Sequence, residues 1–434
     1  MIPFDLPQPV VLLWLFVFGA VIGSFLNVCI YRIPQHESLW AQLRGLNHPP
    51  SSCPWCKKRI LATDNIPIIG WIRLGGRCRF CRHAIPARYA LIEFFNGLLW
   101  VVLYVLIVPA GFTAKIETSA LYSLLGALAQ PGLTQPAQIW LVNLQYLYFL
   151  TLAEALLVAT FIDYDLMIIP DGVTIPAMIF GVIGGTILGT PALWPAWFFD
   201  SAQMAGFQAV LPSWMHWMLT LPADIPWLVA HPHWHGFVNS VLGLLAGGGI
   251  VWIVRILGQW VFRREAMGFG DVILMAMIGA FVGWQASLIV FFLVGPICAI
   301  IATIVTRSLQ FSKAIPFGPY LSMGALLVVL FWNRWFSEFH TFFDRGPLML
   351  VVFILMGTFF VPILVLVRAI KRGLGFPDDP DDSGMTEEWT SGDQLTFYAN
   401  KEERIDQTRL QPTIWPGIST GQGTSHANRW RGSR

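Results

Sequence analysis

Charge is what this sequence has least of. Charged residues make up 12% of its 434, against roughly 25% in a soluble globular domain. That shortage excludes a freestanding soluble fold. A net charge of only +2 offers no basic surplus that would point to nucleic acid. Also absent is an internal repeat. The N-terminus lacks the basic stretch and small-residue cleavage site of a removable signal, so "VVLLWLFVFGAVIGSFLNVCIYRI" (10–33) is read as a retained span.

What fills the space is apolar. Hydrophobic residues reach 55%, in runs close to the roughly 20 residues a helix needs to cross a bilayer. They predict an all-α polytopic membrane protein with spans near 10–31, 89–110, 139–162, 173–194, 236–261, 272–284, 287–306, 317–333 and 348–367. The uncharged stretch Val272 to Val305 is too long for one span and is divided at "GWQ" (283–285), its polar interruption. From Arg32 to Arg88 the chain carries ten Lys or Arg and two acids, Glu37 and Asp64. Alternate loops are poor in base: 111–138 has only Lys115, and 195–235 has none. About nine helices with the N-terminus outside and the C-terminus inside place every basic loop on one side, which the positive-inside rule makes the cytoplasm. The expected divisions are a first helix (1–32), a cytoplasmic loop domain (33–87), a membrane core (88–335), an additional helix (336–372) and a polar tail (373–434), largely disordered.

Four of the six cysteines form two knuckles, Cys53-x-x-Cys56 and Cys78-x-x-Cys81, with 21 residues between them. Each C-x-x-C pair can grip one tetrahedral ion with two thiolates, so two pairs close a structural Zn²⁺ site. Two disulfides are the alternative, and a cytoplasmic loop is too reducing for them. Lys57, Lys58, Arg77, Arg79 and Arg82 would offset the double negative charge of four thiolates around one ion. Cys29 and Cys298 lie inside spans as small apolar fillers.

Acids inside spans are costly and mark function by default. The third span ends in "ATFIDYDLMIIPDG" (159–172), and the sixth opens on "GFGD" (268–271). Asp163 and Asp271 can therefore meet at one depth and share a proton as an aspartyl protease pair. Asp165 and Asp171 are read instead as helix-end or headgroup groups, with Pro170-Asp171 a local helix start. Glu93 can pair with Arg88, and Glu154 has no evident partner.

These residues resemble the bacterial type IV prepilin peptidases, membrane aspartyl proteases with a GxGD motif that also act as N-methyltransferases. The resemblance rests on "GSFLNVCIYRIP" (23–34), both knuckles, "RYALIEFFNGLLW" (88–100), "DYDLMIIPD" (163–171), "GFGDVILMAMIGAFVGW" (268–284) and "IPFGPYLSMG" (315–324), in that order. It implies that Asp163 and Asp271 are the catalytic pair, and that the zinc held by Cys53, Cys56, Cys78 and Cys81 is structural. It further implies prepilin or pseudopilin substrates cut at the cytoplasmic face of the bacterial inner membrane. The new N-terminus would then be methylated with S-adenosylmethionine. Three features depart from the pattern: the long loops 111–138 and 195–235, the second carrying "HPHWHG" (231–236), and the extension past residue 335. Acids at a membrane edge alone also suit another intramembrane GxGD protease, or a transporter or scaffold without enzymatic activity.

Overall fold

The computed structural model describes residues 7–108 apart from 37, 48–50 and 54, then 135–189, 225–262, 267–308 and 316–332, with a few isolated positions elsewhere. Within them the chain is helical, and the only strand-like pairings are the bridges Ser52–Arg59 and Arg77–Ala84. Besides a short helix at Pro226–Ala230, the helices are α1 (Gln8–Arg32), α2 (Leu39–Leu46), α3 (Ile69–Arg73), α4 (Arg88–Ile107), α5 (Gln135–Leu166), α6 (Asp171–Leu188) and α7 (Pro232–Phe262). Then come α8 (Phe269–Val282), α9 (Trp284–Ile289, continued through a π-helical turn into Gly295–Ser308) and α10 (Gly318–Phe331).

Among the described residues, six helical stretches are long and apolar enough to cross a bilayer: Gln8–Gln35, Arg88–Ile107, Trp140–Leu166, Asp171–Leu188, Pro232–Val261 and Trp284–Val305. The expected all-helical, multi-pass class therefore holds. Two further expected spans are the apolar α8 and α10, of 14 residues each. At 1.5 Å per residue these reach about 21 Å, short of the roughly 30 Å hydrocarbon core. The ninth, at 348–367, lies almost wholly outside the described residues, as does the tail 373–434.

Helix ends follow from local chemistry. The uncharged stretch 272–305 breaks where the sequence divides it, because Gly283 sits at φ 84°, a conformation that ends α8 and that side-chain-bearing residues avoid. The hydroxyl of Ser287 donates to the Gly283 carbonyl at 2.7 Å and secures the restart. α5 stops at Met167, whose positive φ of 56° turns the chain sharply while its N–H caps the Asp163 carbonyl at 2.8 Å.

Polar groups inside a bilayer need partners within the protein, and here they cross-link helices. Asn96 of α4 donates to the Gly19 carbonyl of α1 at 2.8 Å, and Asn27 of α1 donates to the Tyr89 carbonyl of α4 at 3.1 Å. Those two bonds make α1 and α4 an antiparallel pair. The buried Tyr148 hydroxyl on α5 lies 3.1 Å from the carbonyls of both Gly181 on α6 and Ala280 on α8, which fixes three helices at one point. One end of the bundle thus collects the end of α5, the starts of α4, α6, α8 and α10, and the loop 33–87.

Candidate active site and metal centre

Asp163 lies in the last turn of α5 and is buried, 5% exposed. Its Oδ2 has no close hydrogen bond among the described residues and rests against Gly318, whose backbone N–H is directed at the carboxylate. Asp271 lies in the first turn of α8 and is half-buried. It is near enough for its charge to act directly on Asp163. The side chain of Ile169 joins the parts. It lies within van der Waals reach of both Gly270 and Gly318, at 3.1 Å and 3.3 Å from where a Cβ would stand. Three helix ends therefore meet around two acids, one arriving at the carboxyl end of its helix and the other at an amino end.

Gly318 is the neighbour whose role the sequence does not announce. It belongs to the quoted "IPFGPYLSMG", yet nothing in that string assigns it to Asp163. A Cβ at 318 would strike the Asp163 carboxylate. Overpacking of this kind costs about 1–3 kcal/mol, and here it falls on the Asp163 carboxylate. Gly318→Ala is expected to lower kcat/KM of any reaction that uses the Asp163 carboxylate by about tenfold or more, with the helices still folded by circular dichroism. Unchanged kinetics would remove Gly318 from the site.

Other acids find different partners from those the sequence suggests. Arg88 does not serve Glu93. It forms an ion pair with Asp165 at 2.6 Å and lies 4.9 Å from the centre of the Phe161 ring. A charge buried two residues from Asp163 thus has a cation brought from α4, 77 positions away in sequence, rather than a headgroup. Glu93 accepts the Ile68 N–H at 2.7 Å. Glu154 has partners after all: its Oε1 accepts from Asn96 at 3.0 Å and from the Trp100 indole at 2.6 Å, tying α4 to α5. Asp171 opens α6 behind Pro170, as expected. The following amide, Gly172 N–H, donates to the side chain of buried Gln42 at 2.6 Å, so α2 of the loop is anchored to the segment that follows Asp163.

The four knuckle cysteines gather with their Sγ atoms all within 4.8 Å of one another, Cys53 to Cys81 at 3.8 Å and Cys56 to Cys78 at 4.0 Å. Disulfide sulfurs stand about 2.05 Å apart. Four sulfurs bound to one tetrahedral Zn²⁺ at about 2.3 Å lie about 3.8 Å from one another. The donor set fits a metal ion. Both knuckles fold alike: the residue after each second cysteine, Lys57 and Arg82, takes a positive φ of 56° and 58°. Its N–H then returns to the carbonyl of the first cysteine, at 2.9 Å and 3.0 Å. Burial pushes the Cys53 thiol up to about 12. Burial also pushes Cys78 upward, but hydrogen bonds from the backbone N–H groups of Cys81 and Phe80 and from neighbouring thiols outweigh it and bring it down to about 7.

Arg79 is not available to these thiolates. It binds Asp64 with two hydrogen bonds, at 2.6 Å and 2.5 Å. That guanidinium holds the Asp64 carboxyl below the usual carboxylate range. The pair therefore helps the fold at pH values above the unfolded carboxylate range, and its contribution disappears as pH falls through the lowered value. His231 and His233 spend a ring nitrogen on backbone carbonyls, Trp227 at 2.8 Å and Thr186 at 2.9 Å, amid a cluster of Trp rings.

Comparison with known proteins adds independent findings. Residues 17–107 match the bacterial peptidase A24 N-terminal domain, and residues 150–304 match the type IV leader peptidase family. The chain is 30% identical over 353 residues to a prepilin leader peptidase/N-methyltransferase of Aeromonas salmonicida, covering 74% of this chain and 92% of that one. The namesake from Aeromonas hydrophila is 30% identical over 352 residues, with the same coverage. That of Pectobacterium carotovorum is 27% identical over 329 residues, covering 71% and 89%. No solved structure matches the chain.

Proposed function

The chain belongs to the type IV leader peptidase family, and we propose from that premise how its residues divide the work. It is an aspartic peptidase that cleaves prepilin leaders and an N-methyltransferase that modifies the new N-terminus. We assign cleavage to Asp163 and Asp271. Two carboxyl groups that meet across such helix ends would share one proton. The ionised one takes a proton from water while the protonated one donates to the carbonyl oxygen of the scissile bond, and the resulting hydroxide attacks that carbon. The observation that carries the assignment is the meeting of Asp163 with the Gly270-Asp271 and Gly318 helix ends on the side of the basic loop.

We place that side in the cytoplasm of a bacterium, with about nine spans and an outside N-terminus, on the positive-inside rule. The ion at Cys53, Cys56, Cys78 and Cys81 is zinc in a structural role, since four thiolates leave no open position. Its place on this side orders the loop that meets the arriving leader.

S-adenosylmethionine would supply the methyl group to the freed amine. No described residues are assigned to hold it, and this half of the activity is supported by family membership. Mass spectrometry of the cleaved product provides the test: one methyl should appear only when purified enzyme and methyl donor are both present. A product that never gains mass would reduce the enzyme to its peptidase half.

A further inference from the structure

α6 opens without a cap of its own. The first N–H groups of a helix have no partner within it, and a side-chain oxygen at the preceding position usually takes one of them. Here that position is Pro170, which carries no such oxygen. Gly172 is buried, so water cannot serve its N–H either. The partner comes from the loop 33–87. Gln42 of α2, 2% exposed, accepts the Gly172 N–H on its Oε1 at 2.6 Å, across 130 positions of sequence.

The direction of that amide is fixed at both ends. Its Nε2 donates to the His36 carbonyl at 2.9 Å. An N–H can only give and a carbonyl only receive, so the oxygen must point at α6. α2 is itself held in place. Arg32 of α1 donates to the Gly45 and Leu46 carbonyls at its carboxyl end, both at 3.4 Å. The close approach depends on glycine: a Cβ at 172 would stand 2.5 Å from the Gln42 oxygen and 3.3 Å from the Ile33 side chain.

This cap closes one end of a short turn. Residues 167–170 join α5 to α6, and at the other end the Met167 N–H returns to the Asp163 carbonyl. Between the two anchors stands Ile169, whose side chain lies against both Gly270 and Gly318. Gly270 precedes Asp271, and Gly318 lies against the Asp163 carboxylate. Releasing the Gly172 end would free Ile169 to move, and with it the packing that sets one acid-bearing helix end against the other.

We propose that Gln42 is a positioning residue of the peptidase: it caps α6 from the loop 33–87, and through the turn at Ile169 it holds Asp163 and Asp271 in register. This role rests on the assignment of cleavage to those two acids. Gln42 itself touches neither of them. Misplacing catalytic groups by about 1 Å can cost about 10²-fold. A turn still anchored at Met167 should lose less.

The test uses the full chain with Gln42→Met, which keeps the length but neither bonding atom, and Gln42→Glu, which keeps an acceptor for the Gly172 N–H. Metal near about one ion per chain certifies the loop in each. Hydrogen exchange at the Gly172 amide should quicken several-fold in Gln42→Met and stay near the parent rate in Gln42→Glu. In Gln42→Met, kcat on a prepilin-like peptide should fall about tenfold with KM within about twofold. Most of that rate should return in Gln42→Glu. Added to Ile169→Ala, Gln42→Met should cost little further, because effects along one path are not additive. Unchanged exchange or unchanged kcat in Gln42→Met would overturn the positioning role. So would full additivity with Ile169→Ala, or a Gln42→Glu enzyme as slow as Gln42→Met. Inactive Asp271→Asn beside fully active Gln42→Met would sink this role alone and leave the pair of acids standing. Normal cleavage by Asp271→Asn would sink the pair, and the role of Gln42 with it.

Discussion

Asparagine in place of Asp163 or Asp271 should bring prepilin cleavage down by about 10³-fold or more, to the background of the assay, because general acid–base catalysis of this kind contributes about 10²–10⁴-fold. The side chain keeps its shape, so the helices should pack as before. What goes is the ability to hold and pass a proton. On the proposed assignment the two acids act as one unit. The double variant should therefore be no worse than either single one, as expected for groups whose effects are not additive. Initial rates on a prepilin-like peptide with purified protein decide the matter, with metal content and helicity as controls for folding. Activity surviving in Asp271→Asn would end the dyad, because Asp163 alone cannot supply both the base and the acid. Asp165→Asn is the informative contrast. It lies two residues away but is committed to Arg88, so its loss should weaken the fold near the site more than the chemistry.

Cys53→Ser should be nearly as drastic for the loop. Metal should fall from about one ion per chain to a small fraction of that, because a hydroxyl is a poor replacement for a buried thiolate in a closed site. Apparent binding free energies of structural zinc are about 10–16 kcal/mol near neutral pH. The segment 33–87 buries too little to fold without such a staple. Its bonds to the membrane helices, Gln42 to Gly172 and Ile68 to Glu93, should loosen with it. Limited proteolysis should then cut between residues 33 and 87 in the variant and spare the parent protein. Metal content and protease resistance unchanged in Cys53→Ser would remove the four-thiolate site. Cys298→Ser should leave both as they are, since Cys298 lies on α9, away from the knuckles.

Much of the fold could be read from residues because the bilayer simplifies the problem: apolar length predicts a span, and basic residues predict a side. The division at Gly283 was legible because a glycine followed by polar Gln285 interrupts 34 uncharged residues. The knuckles were legible because metal-ligand spacing is a local property. Pairing of the acids was harder to read. Arg88 looks like a partner for Glu93 on the same helix, five positions on, but α5 brings Asp165 closer. Arg79 looks like a counter-ion for thiolates, but Asp64 claims it. Gln42 carried no signal, and Gly318 none beyond its place in "IPFGPYLSMG", since an amide or a glycine declares its role only through what lies against it.

The sequence by itself determined that the chain is a multi-pass helical membrane protein and which four cysteines can grip an ion. Only the tertiary structure decided that Asp163, Gly318 and the Gly270-Asp271 helix start share one pocket of space, and that the loop is pinned against α4. The physical reason is range. Hydropathy, helix breaks and ligand spacing act over a few residues, whereas bringing positions 163 and 271 to one end of the bundle depends on how whole helices pack.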